Sequence, residues 1–213
     1  MFSNTIWRSV LQYNVNWVVK ILILSDLIIW SAGQLFTPVF ALFIEDHLSD
    51  NPIQVVGTAV AIYLITRSIC EIPVGIFVDR THSEKDDLVT AVVGTVIMAI
   101  AYFLYTTIGE VWQLYLLQVL LGFGTAVAFP GWYSMFTRHI DKTKEAFSWS
   151  LYDVSLGAGM AVAAALGSMI ASQFGFQILF YIASAMTLLG AITLCSVKGQ
   201  IFRSHHHHHP QAL

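Results

Sequence analysis

Residues 74 to 85 read VGIFVDRTHSEK. The stretch before them is apolar and interrupted in charge only by Arg67 and Glu71, and then Asp79 and Arg80 stand side by side ahead of a short charged segment. A helix needs about 20 apolar residues to cross a hydrocarbon core of about 30 Å. A run of that length that stops at a pair of opposite charges has the pattern of a membrane span reaching water.

Composition extends this reading to the whole chain. Of 213 residues, 56% are apolar and only 11% are charged, against about 25% charged in an ordinary soluble domain. The mean hydropathy is +0.69. Six spans are predicted, at 17–44, 54–77, 88–107, 111–135, 147–171 and 175–196. The fold class is therefore all-α, a polytopic membrane protein. Its parts are an N-terminal segment (1–16), a six-helix transmembrane domain (17–196) and a His-rich tail (197–213). Glycine and proline inside the spans are compatible with this, because neighbouring helices re-satisfy freed backbone groups.

Charge bias orients the bundle. Six spans place both termini on one side, together with the 2–3 and 4–5 loops. That side carries Arg8, Lys20, Arg80, Lys85, Arg138, Lys142, Lys144, Lys198 and Arg203, and the other carries no Lys or Arg. Basic residues collect on the cytoplasmic side, so both termini are expected there, in a plasma (inner) membrane. No small-residue cleavage site accompanies Arg8 and Lys20, which argues against a removable signal peptide. The run of five histidines in RSHHHHHPQAL reads as a tag or polar tail and is set aside from the fold.

Several function classes fall away. With ten basic against thirteen acidic residues and no basic stripe, nucleic acid is not an expected partner. Cys70 and Cys195 lie in apolar segments and read as packing residues. The histidines outside the tail, His47, His82 and His139, all lie in loops. With no metal-type histidine pair, no converging nucleophile set and no P-loop, neither an enzyme nor an ATP-driven pump is expected, and no metal or cofactor is implied.

The ionisable groups within spans are Asp26, Arg67, Glu71 and Asp153, and span 4 offers Gln118. Such groups face protein or water rather than lipid. Spans 1, 2, 4 and 5 are accordingly expected to form the lining or the contacts, with 3 and 6 toward lipid. At about 1.5 Å per residue, the three carboxylates sit at one level, roughly 7–9 Å to the cytoplasmic side of their span centres. They could form a proton-binding cluster near Arg67. Equally, Arg67 and Glu71, four apart on one helix face, could simply neutralise each other, and Asp26 and Asp153 could brace the bundle. Asp26 shares a helix face with Trp30, Gly33 and Thr37, and Gln34 belongs to the same candidate cavity. Small residues mark two close-contact seams: Gly57, Ala61, Ser68 and Gly75 in span 2, and Gly157, Gly159, Ala161, Ala165 and Gly167 in span 5.

These features together resemble the major facilitator superfamily. EIPVGIFVDR resembles its cytoplasmic 2–3 loop signature through Gly75, Asp79 and Arg80, although Thr81, His82, Ser83, Glu84 and Lys85 replace the glycine and basic residues that usually follow. LLQVLLGFGTAVAFP resembles the fourth span, with Gly122 at the glycine and Gln118 where an arginine is common. GAGMAVAAALGSMIASQFGFQILF resembles the fifth span and its turn into the sixth, through Gly167, Gly175 and Phe180. It lacks the proline of the antiporter-type variant, and Phe176 and Gln177 replace the usual Trp-Arg. The superfamily plan has twelve spans in two similar halves, and these six spans match one half. The resemblance implies a cavity built from spans 1 and 4 of each half, with 2 and 5 at the junction. The second half would be another copy or a separate six-span partner. It also implies alternating-access transport of a small molecule or ion, read as proton-coupled, with the missing span 5 proline favouring symport over antiport without deciding between them, and with Asp79 locking the cytoplasmic side against the partner's span 5. Two other readings compete: a non-transporting scaffold or receptor subunit, and an isolated half that needs a different partner.

Overall fold

A computed structural model describes residues 15–81 and 83–198. His82 and most of both terminal segments, with the readings attached to Arg8, Arg203 and the histidine run, lie outside the described residues. Among the described residues there are six helical spans, as expected. Span 1 joins the helix Trp17–Phe36, a 3-10 turn Thr37–Val39 and a short helix Phe40–His47. Spans 2 to 6 are Pro52–Thr81, Glu84–Leu104, Val111–His139, Glu145–Phe174 and Phe176–Cys195.

The sequence explains the boundaries. Asn16 caps span 1, its side-chain oxygen accepting from the Val18 N–H at 3.0 Å, as capping side chains do. The break in span 1 falls at Pro38, which has no N–H to give to the Gln34 carbonyl. Beside it, the Thr37 hydroxyl donates to the Gly33 carbonyl at 3.0 Å. Span 3 starts at Glu84, ahead of its hydropathic stretch, and its first turn holds Glu84, Asp86 and Asp87, the charge a helix N-terminus favours. Glu110 and Gln113 form a capping box at the start of span 4. Only Gly175, at φ +82°, separates spans 5 and 6; a side chain there would strain the turn.

Packing follows the order 2–4–3–6–1–5, each span lying chiefly against the next, with lighter contacts between 5 and 6, between the short helix of span 1 and span 2, and between 1 and 4. The bundle is thus an arc whose two ends are spans 2 and 5. None of the most apolar window of span 2 is buried, and 11% of that of span 5, against 44–50% for the other four. Spans 3 and 6 are about half buried within the half bundle, and their remaining faces are the apolar, exposed surface expected toward lipid. Both sit in the middle of the arc and back the lining helices, and their apolar outer faces carry residues such as Val89, Phe103, Leu189 and Ile192.

An aromatic cluster holds the end of the bundle away from the basic loops. Phe180 of span 6 stacks on Tyr105 at 4.9 Å and meets Phe43 of span 1 edge-on at 5.0 Å; such ring pairs add to the area they bury. Close approach on the other flank needs glycine. A Cβ on Gly167 would run into the Leu35 backbone, and one on Gly159 into the Leu27 side chain. The span 5 seam therefore splits in two. Gly159 and Gly167 face span 1, whereas Gly157, Ala161 and Ala165 are exposed. Gly57 and Ala61 of span 2 are exposed as well, and nothing lies near a Cβ placed on Gly57 or Gly157.

Candidate functional site

The concave side of the arc carries the polar groups. Asp26 of span 1 is 6% exposed. One of its oxygens, Oδ2, accepts from the Tyr152 hydroxyl of span 5 at 2.8 Å and from Trp30 Nε1 at 3.2 Å. Trp132 of span 4 completes the wall: its ring lies 5.0 Å from that of Tyr152, and its Nε1 donates to the Leu22 carbonyl at 3.2 Å. Asp26 thus ties spans 1 and 5 together. It also borders a small cavity of about 20 Å³ lined by Thr95, Thr125 and Phe129, enough room for about one water molecule.

A larger cavity, about 260 Å³, adjoins it. Trp30, Gln34 and Thr37 of span 1 line it, with Tyr63 of span 2, Tyr102 of span 3 and Gln118 of span 4. Gln118 is buried and donates through Nε2 to the Tyr105 hydroxyl at 2.8 Å. An uncharged amide therefore occupies the site where a buried arginine would need a counter-ion.

The three carboxylates do not gather around Arg67. Glu71 pairs with Arg67 on its own helix, Nε to Oε2 at 3.0 Å, and the guanidinium sits over the Phe129 ring at 5.1 Å. Asp153 is exposed on the open side of span 5. Asp26 keeps aromatic company instead. The reason is rotational: adjacent residues on a helix point about 100° apart, so Tyr152 faces Asp26 and Asp153 turns away. A span tyrosine needs a hydrogen-bond partner for its hydroxyl, which was the available clue to this contact.

Toward the basic end, Gly75 and Asp79 border a groove between spans 2 and 4 with Glu71, Tyr133 and Ser134. Asp79 and Arg80 are exposed. Nearby is an ion pair that hydropathy does not reveal. Asp87 of span 3, fully buried, receives Arg138 Nη2 at 2.8 Å and the Ser134 hydroxyl at 3.0 Å. Its other oxygen, Oδ1, has no hydrogen-bond partner. Among the described residues, no group of three or more His, Cys, Asp or Glu is placed to hold a metal ion.

A six-span arc with its polar groups on the concave side and its second and fifth spans uncovered defines one class, a half bundle of the major facilitator type. The family profile described as Major Facilitator Superfamily matches residues 22–210, and the chain belongs to that superfamily. It is similar to the "Inner membrane transport protein YajR" of Escherichia coli (strain K12), 28% identical over 144 residues, which is 65% of this chain and 30% of that protein. It is also similar to the human "Voltage-gated purine nucleotide uniporter SLC17A9", 28% identical over 72 residues, 34% of this chain and 16% of that protein. The matched segments thus span less than a third of either relative's length.

Proposed function

We propose that the chain is one half of a secondary transporter that moves a small solute by alternating access, with proton movement coupled at Asp26. The observation that carries the reading is the placement of Asp26. A carboxyl group buried on the concave face has, among the described residues, two neutral donors as its partners, the Tyr152 hydroxyl and the Trp30 indole. A carboxyl group in such surroundings can exchange a proton without stranding a fixed counter-charge. Its bond to Tyr152 spans two helices, so gain or loss of the proton alters the contact between spans 1 and 5. Those are parts that must shift when a cavity changes sides. The relatives' printed names, a transport protein and a nucleotide uniporter, agree with the general activity.

The second half is another copy of this chain. The uncovered ends of the arc, spans 2 and 5, are the elements that a symmetric partner would cover, its span 5 on this span 2 and the reverse. Both termini are cytoplasmic in this arrangement, and Asp79 lies where it can reach the partner's span 5.

The test is uptake by the full chain reconstituted in liposomes with an imposed proton gradient, compared with simple exchange at equal pH on both sides. Asp26→Asn abolishes gradient-driven accumulation and retains exchange. Full accumulation by that variant removes Asp26 from coupling. Absence of any flux in the unaltered protein, shown to be folded and dimeric, removes the transport reading.

A further inference from the structure

The larger cavity has a chemistry of its own. None of its lining residues carries a charge. The nearby Asp26 directs Oδ2 at Tyr152 and Trp30, and Arg67, paired with Glu71, stands behind the lining residue Tyr63 rather than in the lining. The wall instead offers hydrogen-bonding groups that are neutral at any physiological pH. Tyr102 is 4% exposed and lines the cavity, and its hydroxyl, set against Gly33 of span 1, has no hydrogen-bond partner among the described residues. The Gln34 carboxamide, half buried beside the break in span 1, likewise has none. Gln118 spends one amide hydrogen on Tyr105 and keeps its carbonyl oxygen. Trp30 has given its N–H to Asp26, so what it presents to the cavity is ring face. Phe36 and Phe40 add apolar ring surface.

We propose that this cavity binds a neutral, ring-bearing solute that both donates and accepts hydrogen bonds, held between the Trp30 ring and the Tyr102, Gln34 and Gln118 polar groups. A charged solute would lose hydration here and meet no charged group in the lining, which is the costly case. A neutral amide or hydroxyl group pairs with the polar groups that the wall leaves facing the cavity, and a site that hydrogen-bonds a solute in this way disfavours solutes lacking the partner atoms. The volume, about 260 Å³ on this half alone, lies just below the range of about 300–1,000 Å³ typical of small-molecule pockets. The inference rests on the transport reading only for the facing wall, which the second copy supplies.

Matched probes separate charge from shape. Benzamide, benzoate and benzylamine share one ring, and indole-3-acetamide, indole-3-acetate and tryptamine share another. Binding of each to the purified full chain is measured by equilibrium dialysis. The carboxamides are expected to bind at least about tenfold more tightly than their charged counterparts. Tyr102→Phe and Gln34→Leu each weaken carboxamide binding about fivefold, the scale of one neutral hydrogen bond, and leave the weak binding of charged probes unchanged. Equal or tighter binding of a charged member, no binding of either carboxamide by folded protein, or unchanged affinity in both variants overturns the proposal. Flux in proteoliposomes keeps the two readings apart. Transport of a carboxylate without carboxamide binding removes the neutral-solute site and leaves transport standing. Carboxamide binding without flux of any probe does the reverse.

Discussion

At the scale of single residues, the buried charges divide by what would be left behind if a partner were removed. Arg67 and Glu71 are each partly exposed, at 23% and 30% of their side chains, so water can take the place of a lost partner in the isolated half. Asp87 is different, because it is fully buried and one of its oxygens is already unpaired. Arg138→Ala removes its counter-ion among the described residues. Breaking a fully buried pair costs about 3–5 kcal/mol, and because Arg138 is 38% exposed and screened by water a smaller loss, about 2–3 kcal/mol, is expected here. Asp87→Asn keeps the Ser134 contact, removes the buried charge and is milder. Reversible denaturation in mixed micelles measures both, and equal stability of Arg138→Ala and the unaltered protein would mean that the pair contributes nothing. Arg67→Ala acts at a later stage: once a partner covers span 2, Glu71 is stranded, so the loss is in assembly more than in the folding of the half.

At the scale of helices, the two sides of span 5 make opposite predictions. Gly159 lies against Leu27 and Ser31 of span 1, so Gly159→Leu forces spans 1 and 5 apart and destabilises the half itself, by about 1–3 kcal/mol as overpacking does. Gly157 and Ala161 are exposed. Gly157→Leu and Ala161→Leu therefore leave unfolding unchanged and weaken the monomer–dimer equilibrium, read by energy transfer between labelled copies in lipid. An unchanged equilibrium in both excludes this face from the interface. The contrast also marks how far sequence could reach. Hydropathy was enough for six spans, because a stretch of about 20 apolar residues has few alternatives. It could not tell Gly157 from Gly159, because a seam of small residues says that something approaches and not which face it approaches. Nor could it find Asp87 inside the bundle, since a carboxylate at the edge of an apolar stretch reads as loop until Arg138 and Ser134 are brought beside it. The Asp26 site was legible in part. The carboxylate and Trp30 lie on one helix face four residues apart, whereas Tyr152 is 126 positions away and only the fold makes it a neighbour.

At the scale of the whole molecule, the unpaired ends of the arc and the charges near them bear on how the assembly closes. Cysteines introduced at His47 and Lys142, both exposed positions, in a background with Cys70 and Cys195 replaced, should react with an impermeant reagent from opposite sides of the membrane. Lys142 should react only from the cytoplasm, and reaction of both from one side would overturn the orientation. Given that orientation, Asp79 lies at the cytoplasmic mouth, exposed beside the groove between spans 2 and 4. A carboxylate near the N-terminus of the partner's span 5 is held by that helix's exposed N–H groups and by their partial positive charge. In the proposed dimer this contact forms only while the cytoplasmic side is closed, so its loss should shift the balance between states and leave the fold intact. Asp79→Asn keeps the shape and removes the charge. It is expected to increase the rate at which a cysteine placed in the cytoplasmic groove, at Tyr133, reacts with an impermeant thiol reagent, by about three- to tenfold for a lost charge-assisted bond partly open to water. Denaturation of the variant should match that of the unaltered protein. An unchanged reaction rate with normal assembly rejects the lock, and a faster rate accompanied by lost stability assigns Asp79 to holding span 2 in place.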